Sequence, residues 1–255
     1  RCPQCGSDQI RYSGAGTERI ESLALKLFPN ARIARMDSDT MSHPAMYEKV
    51  LGAFRRGELD ILIGTQMIAK GLDFPNVTLV GVMNADTGLM LPDFRAQERG
   101  FQLLEQVAGR AGRGFTPGLV IIQTFSPFNP AIECARTHDY RAFFDDELVI
   151  RKDLNFPPFT HLTALHFEGD DPSEIMSAAS SLVSRLRAAF PDSVEISDPA
   201  PAPIERMKGK CRWMSLARGA NAPPFRARLR EEAMAWRRNV RNVVFYADVD
   251  AISLL

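Results

Sequence analysis

The sequence predicts an α/β protein in which a parallel-sheet lobe precedes a smaller α+β domain of ferredoxin-like order. Three observations carry this. Helical and strand patterns alternate from residue 17 to about 148, the proline-rich stretch "NFPPF" (155–159) breaks the alternation, and the patterns beyond it run β-α-β-β-α-β. The expected limits are 1–12 for a cysteine-bearing segment, 13–150 for the parallel lobe and 151–255 for the C-terminal α+β domain.

Each element has a local reason. "TERIESLALKLF" (17–28) places apolar residues at helical spacing, and "ARIARM" (31–36) is a short strand ending at "DSDT". "PAMYEKVLGAFRRG" (44–57) is a helix with a glycine stop, followed by the apolar strand "DILIGT" (60–65). A second apolar strand, "VTLVGVM" (77–83), precedes a long helix over 95–113; "GLVIIQTF" (118–125) is a strand and 129–148 a helix. Strands alternating with helices imply a parallel sheet covered on both faces, with ligands beyond the carboxyl ends of its strands. After the proline break come the strand "HLTALHFEG", the helix "PSEIMSAASSLVSRLRAAF" and the strands "VEIS" and "CRWMSLA". The helix "PFRARLREEAMAWRRNV" and the strand "NVVFYADVDA" close the chain.

At 255 residues, 45% hydrophobic and 24% charged, the composition is that of a globular protein with room for two cores. No apolar run approaches the roughly 18 residues of a membrane span and no signal peptide opens the chain, so no membrane role is expected. The first residue is Arg1, which suggests a piece of a longer protein. The net charge of zero conceals an asymmetry. Residues 201–241 hold eleven Arg and Lys against Glu205, Glu231 and Glu232, giving 11 − 3 = +8, so the remainder is −8. Such a block points to a polyanionic partner, although a solvated helix face has the same composition.

Cys134 and Cys211 are isolated and read as ordinary buried thiols. Cys2 and Cys5, in "CPQCG", have zinc-knuckle spacing, but a closed site needs four ligands and no second pair follows. The pair is half of a zinc site or a redox dithiol, and the sequence after it does not resemble the strand-to-helix setting of a redox motif.

The stretch "QVAGRAGRG" (106–114) is the most informative. Gln106, Arg110 and Arg113 are spaced four and three apart, which places them on one helical face. Gly109 and Gly112 lie between, each costing a helix interior roughly 1 kcal/mol relative to alanine. Two guanidinium forks match phosphate oxygens in pairs, and Gln106 can orient a water, which suits a triphosphate as charge moves off its γ-phosphoryl group. A salt-bridged surface helix explains the arginines but not the glycines. "DILIGT" also delivers Thr65 and Gln66 to a strand end, where Thr65 can meet a phosphate of nucleotide or nucleic acid. Gly71 then permits a tight turn and Asp73 can accept from a ribose hydroxyl, although a Gly-x-Asp turn after a strand is common.

"GTQMIAKGLDFPNVTLVGV" and "QVAGRAGRG" resemble motifs V and VI of superfamily 2 helicases. With "GTERIE", "RMDSDT", "DFRAQERGFQLLEQ" and "CPQCG", the resemblance narrows to the primosomal protein N′ (PriA) family of replication-restart helicases and covers essentially the whole chain. It implies a RecA-like second helicase lobe, followed by a C-terminal domain that binds DNA and partners. It implies an ATP-dependent enzyme that unwinds DNA 3′ to 5′ at stalled forks and assembles the primosome. Gly71 and Asp73 match the motif V turn, and Gln106, Arg110 and Arg113 match the motif VI positions that reach the nucleotide. Cys2 and Cys5 match the last pair of an eight-cysteine, two-zinc segment. Leu72 stands where the family often has histidine, so this chain does not carry that ring. Implied cofactors are ATP with magnesium, in a site completed by a first lobe, and zinc at a half-site. Implied partners are forked and single-stranded DNA, primosome proteins and single-strand DNA-binding protein, for a monomer in the bacterial cytoplasm.

The sequence contains no G-x-x-x-x-G-K-[ST]; its one Gly-Lys step, Gly209-Lys210, is followed by cysteine. "DDE" (145–147) lies in a helical stretch and reads as a solvated face, "DSDT" as a strand-end turn, and Asp86 as structural. His43, His138, His161 and His166 show no ligand spacing and read as surface or packing residues. The rival to an ATPase is a non-catalytic module that holds DNA and partners. In "ERMKGKCRWMSL" the cations Arg206, Lys208, Lys210 and Arg212 alternate with Met207, Gly209 and Cys211. On an extended strand they line one face; if "KGK" is a hairpin turn, Lys208 and Lys210 sit at its tip. Either arrangement offers charge to DNA phosphates, because no acid after Glu205 lies nearby in sequence. Trp213 is expected in the core.

Overall fold

The computed structural model describes residues 16–37, 44–65, 76–109, 118–191, 193–219 and 222–255. The chain packs as two units: the described residues of Arg1–Asp86 with Phe101–Pro127, and Thr87–Gly100 with Phe128–Leu255.

In the first unit, helix α1 (Thr17–Leu27) leads into strand β1 (Ile33–Met36) and helix α2 (Pro44–Arg55) into strand β2 (Ile61–Gly64). β1 and β2 are parallel, with Ile33 opposite Ile61 and Met36 opposite Gly64. Met36 and Leu51 are buried together, with Tyr47, Val50, Phe54 and Leu62 packed around them. Strands β3 (Leu79–Val82) and β4 (Leu119–Ile122) form a second parallel pair. Between them in sequence come the short helix α3 (Asp86–Leu89) and helix α4 (Ala96–Ala108). Parallel pairing joined by helical crossovers is what the alternating pattern predicts. Helix α4 is described to Ala108, with the Gly109 N–H still bonded to the Glu105 carbonyl at 3.0 Å. Gly109 therefore lies at the end of the described helix rather than in its interior, and the remainder of the expected 95–113 helix lies outside the described residues.

The expected single helix over 129–148 is two. Helix α5 (Pro130–Thr137) ends at His138, which adopts the left-handed conformation (φ 57°), and helix α6 (Tyr140–Asp153) begins after Asp139. Asn129 caps α5 by accepting from the Ala131 N–H, and Asp139 caps α6 by accepting from the Ala142 N–H. The second cap competes with helix continuation and wins.

Strand β5 (His161–Gly169), helix α7 (Pro172–Ala189), strands β6 (Val194–Ile196), β7 (Ala200–Met207) and β8 (Lys210–Gly219), helix α8 (Ala222–Arg237) and strand β9 (Val244–Val249) complete the second unit. The antiparallel sheet runs β6-β8-β5-β9, with β7 also pairing with β8. β6 covers the Ala217–Gly219 end of β8 and β7 the Lys210–Met214 end, so the two share one edge. Ser197 bridges them: its N–H donates to the Leu216 carbonyl and its hydroxyl accepts from the Leu216 N–H. This is the ferredoxin-like order with its second strand divided. β7 was not expected, because Pro199, Pro201 and Pro203 argue against a strand; an edge tolerates their missing donors.

Alternate residues of β5 feed two cores. Leu165 and Phe167 face α7 and α8, where Ile175, Leu182, Leu186, Phe225, Leu229 and Trp236 are buried. The Trp236 indole N–H donates to the Ala178 carbonyl at 2.8 Å, which satisfies its one polar atom. Trp213 packs against this core, as expected. On the opposite sheet face Leu162 and Ala164 are buried with Ala251 and Leu254, against Phe94, Phe156, Met214 and Leu216.

The boundary placed at residue 150 divides what the structure packs together. The Asp93 carboxylate accepts from the Arg95 N–H, the Leu254 N–H, the Ser253 hydroxyl and Arg99. Arg151 on α6 joins Glu147 (2.8 Å) to Glu98 (2.7 Å). These ties hold 87–100 and α6 to the C-terminal unit.

Candidate functional site

In the first unit the carboxyl ends of the parallel strands carry polar groups. Thr65 follows β2, at the strand end where the sequence places it, and is exposed. Gln66, Gly71 and Asp73 lie outside the described residues, as do Arg110, Arg113, Cys2 and Cys5. Gln106 is described. It projects to solvent from α4 while Phe101, Leu104 and Val107 of the same helix are buried. The 3.6-residue period thus separates a core stripe from the face that carries Gln106.

The other strand-end carboxylates are engaged. Asp37 is buried, accepting from the Thr17 hydroxyl at 2.6 Å and from Arg35 at 2.9 Å. Asp86 is buried beyond β3 and accepts from the Phe125 N–H and the Thr124 hydroxyl, both at 2.9 Å. The Phe125 N–H is the main influence holding this carboxyl below its ordinary pKa, against the opposing cost of desolvation. Asp37 thus ties the start of α1 to β1, and Asp86 holds the loop after β4, which agrees with the structural reading of Asp86. Of "DDE", Asp145 pairs with Arg141 on an exposed face, but Glu147 is buried on Arg151. The solvated-face reading is corrected for Glu147, whose partner bridges onward to Glu98. Among the described residues, no cluster of His, Cys, Asp or Glu could hold a metal ion.

In the C-terminal unit the basic segment forms a hairpin. Lys208 and Gly209 take φ of 50° and 83°, and Met207 pairs with Lys210 across this two-residue turn. A type I′ turn needs left-handed conformations at both positions, and glycine supplies one without strain. The hairpin alternative therefore holds, and four cations do not line one strand face. The expectation that these cations lack acids is corrected for two of them. The Lys210 ammonium contacts both oxygens of Asp170, at 2.6 and 2.7 Å. Arg212 is buried, with its guanidinium 3.3 Å from the Glu168 carboxylate. Strand β5 lies beside β8 with Glu168 opposite Arg212, so the acids come from elsewhere in the chain. Arg206 and Lys208 are exposed and hold no ion pair among the described residues.

His166 and Tyr246, directly opposite across β5 and β9, stack at 4.7 Å. His166 is buried; desolvation first, then the charge of Arg212, push its pKa below the ordinary value. His161 is exposed, its Nδ1 2.7 Å from Asp250. These are packing and surface roles, and His43 lies outside the described residues.

The chain is similar throughout its length to known proteins. Residues 152–252 match the family described as Primosomal protein N C-terminal domain, and residues 10–114 match Helicase conserved C-terminal domain. Replication restart protein PriA of Bacillus subtilis (strain 168) is 41% identical over 249 residues, covering 98% of this chain and 31% of that protein. Its counterpart in Treponema pallidum (strain Nichols) is 41% identical over 254 residues, covering 100% of this chain and 38% of that protein. That of a Synechocystis strain is 42% identical over 217 residues, covering 85% of this chain and 26% of that protein. The chain thus spans about a third of the length of these curated relatives.

Proposed function

The chain belongs to the primosomal protein N (PriA) family, and from that premise we propose that it is the C-terminal portion of an ATP-dependent DNA helicase. The whole protein unwinds DNA 3′ to 5′ and restarts stalled replication forks, loading primosome components together with single-strand DNA-binding protein. It works in the cytoplasm as a monomer. The carrying observation is the exposed Gln106 on α4, at the head of "QVAGRAGRG" and opposite that helix's buried stripe. A residue on that face is available to a nucleotide held by another lobe.

In this reading Gln106 positions the attacking water while Arg110 and Arg113 neutralise charge on the γ-phosphoryl group. Gly71 and Asp73 form the ribose-side turn, and Thr65 and Gln66 track the DNA strand. Bound ATP would supply the phosphoryl group, and magnesium would offset the charge that develops on it. The phosphate loop and metal carboxylate belong to a lobe outside this sequence, which has no G-x-x-x-x-G-K-[ST]. Cys2 and Cys5 supply two thiolates, half of a tetrahedral zinc site, and the remaining ligands come from outside the sequence. The β7–β8 hairpin meets DNA through Lys208, with Lys210 and Arg212, each paired with a carboxylate, holding its base.

The test compares this chain with the full-length protein. The chain alone is expected to show no DNA-stimulated ATP turnover. In the full-length protein, Arg110→Ala or Arg113→Ala should lower kcat by roughly 10³-fold or more, with a smaller change in nucleotide affinity. Lysine at either position should rescue poorly, because it lacks the planar fork. Turnover by the chain alone would show that the nucleotide site needs no further lobe, and parental kcat in both variants on saturating DNA would remove these arginines from the reaction.

A further inference from the structure

The antiparallel order of the C-terminal unit brings two sequence-distant basic segments to one end of the sheet. β8 starts at Lys210, beside the end of β5, with Gly169 opposite Cys211. β9 starts at Val244, opposite Glu168 on the other side of β5. Helix α8 runs back from the far end of β8 and stops at Arg237, so residues 238–243 turn at this same end. Asn242 confirms the placement: its carbonyl lies 3.2 Å from where a Cβ on Gly169 would sit, and its side-chain amide donates to Glu174 at the start of α7.

Arg206 and Lys208 of the hairpin, and Arg237, Arg238 and Arg241 beyond α8, therefore share one end. All five are exposed, and none has an ion-pair partner among the described residues. The acids nearby are mostly occupied. Asp170 holds Lys210, Glu168 holds Arg212 and the Tyr246 hydroxyl, Asp171 caps α7 and Glu174 accepts from Asn242; among the described residues Glu205 has no ion-pair partner. The far end of the sheet is built differently. There Arg218 pairs with Glu195 and Arg187 with Asp198, both at 2.8 Å, and Arg226 pairs with Asp250 at 2.9 Å. Complementing the helix dipole accounts for a cation at Arg237 but not for Arg238 and Arg241, which lie past the helix.

We propose that this end of the sheet is a phosphate-binding surface for DNA, with the segment after α8 (Arg237, Arg238 and Arg241) as a contact surface equal to the hairpin tip. It rests on the reading that the C-terminal unit binds DNA and extends it to a second element. Three strand spacings of about 4.8 Å separate β7 from β9, so the surface spans about 15 Å, or roughly four nucleotides of one strand. The pair Lys210–Asp170 anchors the hairpin base, which holds the two elements at a fixed separation.

The test uses the 255-residue chain and fluorescein-labelled single-stranded and forked oligonucleotides, with anisotropy measured from low to moderate salt. Arg238→Glu with Arg241→Glu should weaken binding to both probes about tenfold and flatten the salt dependence by about two phosphate contacts. Lys208→Glu should weaken it about threefold. Arg230→Glu, a reversal midway along α8 at an exposed arginine with no ion pair among the described residues, should stay within twofold and controls for net charge. Thermal unfolding confirms that each variant remains folded. If only Lys208→Glu weakens binding, the second element is wrong while the DNA reading stands. If neither reversal does, both fall. If the double variant keeps its DNA affinity but loses capture of an acidic protein, the surface serves a protein partner and the proposal is overturned.

Discussion

The two ends of the C-terminal sheet contain the same kinds of residue and use them differently. At the end formed by the start of β5, the start of α8 and the close of β9, each arginine meets a carboxylate among the described residues: Arg218 with Glu195, Arg187 with Asp198 and Arg226 with Asp250, which also lies against the His161 ring. At the hairpin end Lys210 and Arg212 are matched, and Arg206, Lys208, Arg237, Arg238 and Arg241 are left without an ion pair among the described residues. Exposed ion pairs contribute typically below 1 kcal/mol each, so the matched end gains little stability from its pairing. It gains neutrality. The unmatched end keeps a field that a polyanion can use. Charge counted along a sequence does not distinguish these cases; the +8 of residues 201–241 is divided between both ends and only part of it is free.

The comparison depends on a common scaffold, and the largest expected effect comes from breaking it. Trp236 is buried between the sheet and α7, edge-on to Phe167 and Phe245. Trp236→Ala should cost about 3–5 kcal/mol, measured by denaturant unfolding, and abolish the distinction between ends with the fold.

Next, Glu168→Gln leaves the buried Arg212 without a charged partner. Removing one member of a fully buried pair costs about 3–5 kcal/mol; Glu168 is partly exposed, and about 2 kcal/mol is expected here. If the hairpin end serves DNA, affinity should hold or rise slightly despite the lost stability. A parallel loss of both would mean that Glu168 supports the contact surface itself.

Asp250→Asn at the matched end should cost less than about 1 kcal/mol, because His161 and Arg226 are both well exposed. It should leave the salt dependence of DNA binding unchanged, and a steeper dependence would show that freeing any cation creates a contact.

The smallest effect is a pH dependence midway along the sheet. Burial and Arg212 depress the folded pKa of His166, so the folded state binds fewer protons than the unfolded chain. Stability from this group is present above the unfolded pKa of about 6.5 and is lost as pH falls below it, at no more than about 1.4 kcal/mol per pH unit. His166→Gln should flatten the unfolding free energy between pH 6.5 and 5; an unchanged slope would assign the acid sensitivity elsewhere.

Much of this was legible in the sequence, and the failures share a cause. The alternation of helix and strand, the break near 155–159 and the six-element order beyond it follow from periodicity, which is local. The hairpin was one of two readings, and Lys208-Gly209 in left-handed conformations decided it. What stayed hidden was non-local. Strand β7 exists because an edge accepts prolines, and being an edge is a property of the sheet. Arg212 is spent on Glu168 because β5 lies beside β8, although 43 residues of chain separate the two (212 − 168 − 1). The break at His138 was the exception, since Asp139 carried a local capping signal that helical periodicity obscured. For the candidate nucleotide site, Gln106 lies on a helix and Thr65 at a strand end, as their patterns suggested, and both are exposed; the remaining motif positions fall outside the described residues.

One measurement addresses the difference between the two ends directly: amide hydrogen exchange of the chain, free and saturated with an unlabelled single-stranded oligonucleotide. Added protection in the C-terminal unit should be confined to residues 206–210 and 237–242, with none at 194–198 or 248–251. Protection at the matched end, or none at either end under saturating binding, would contradict the account.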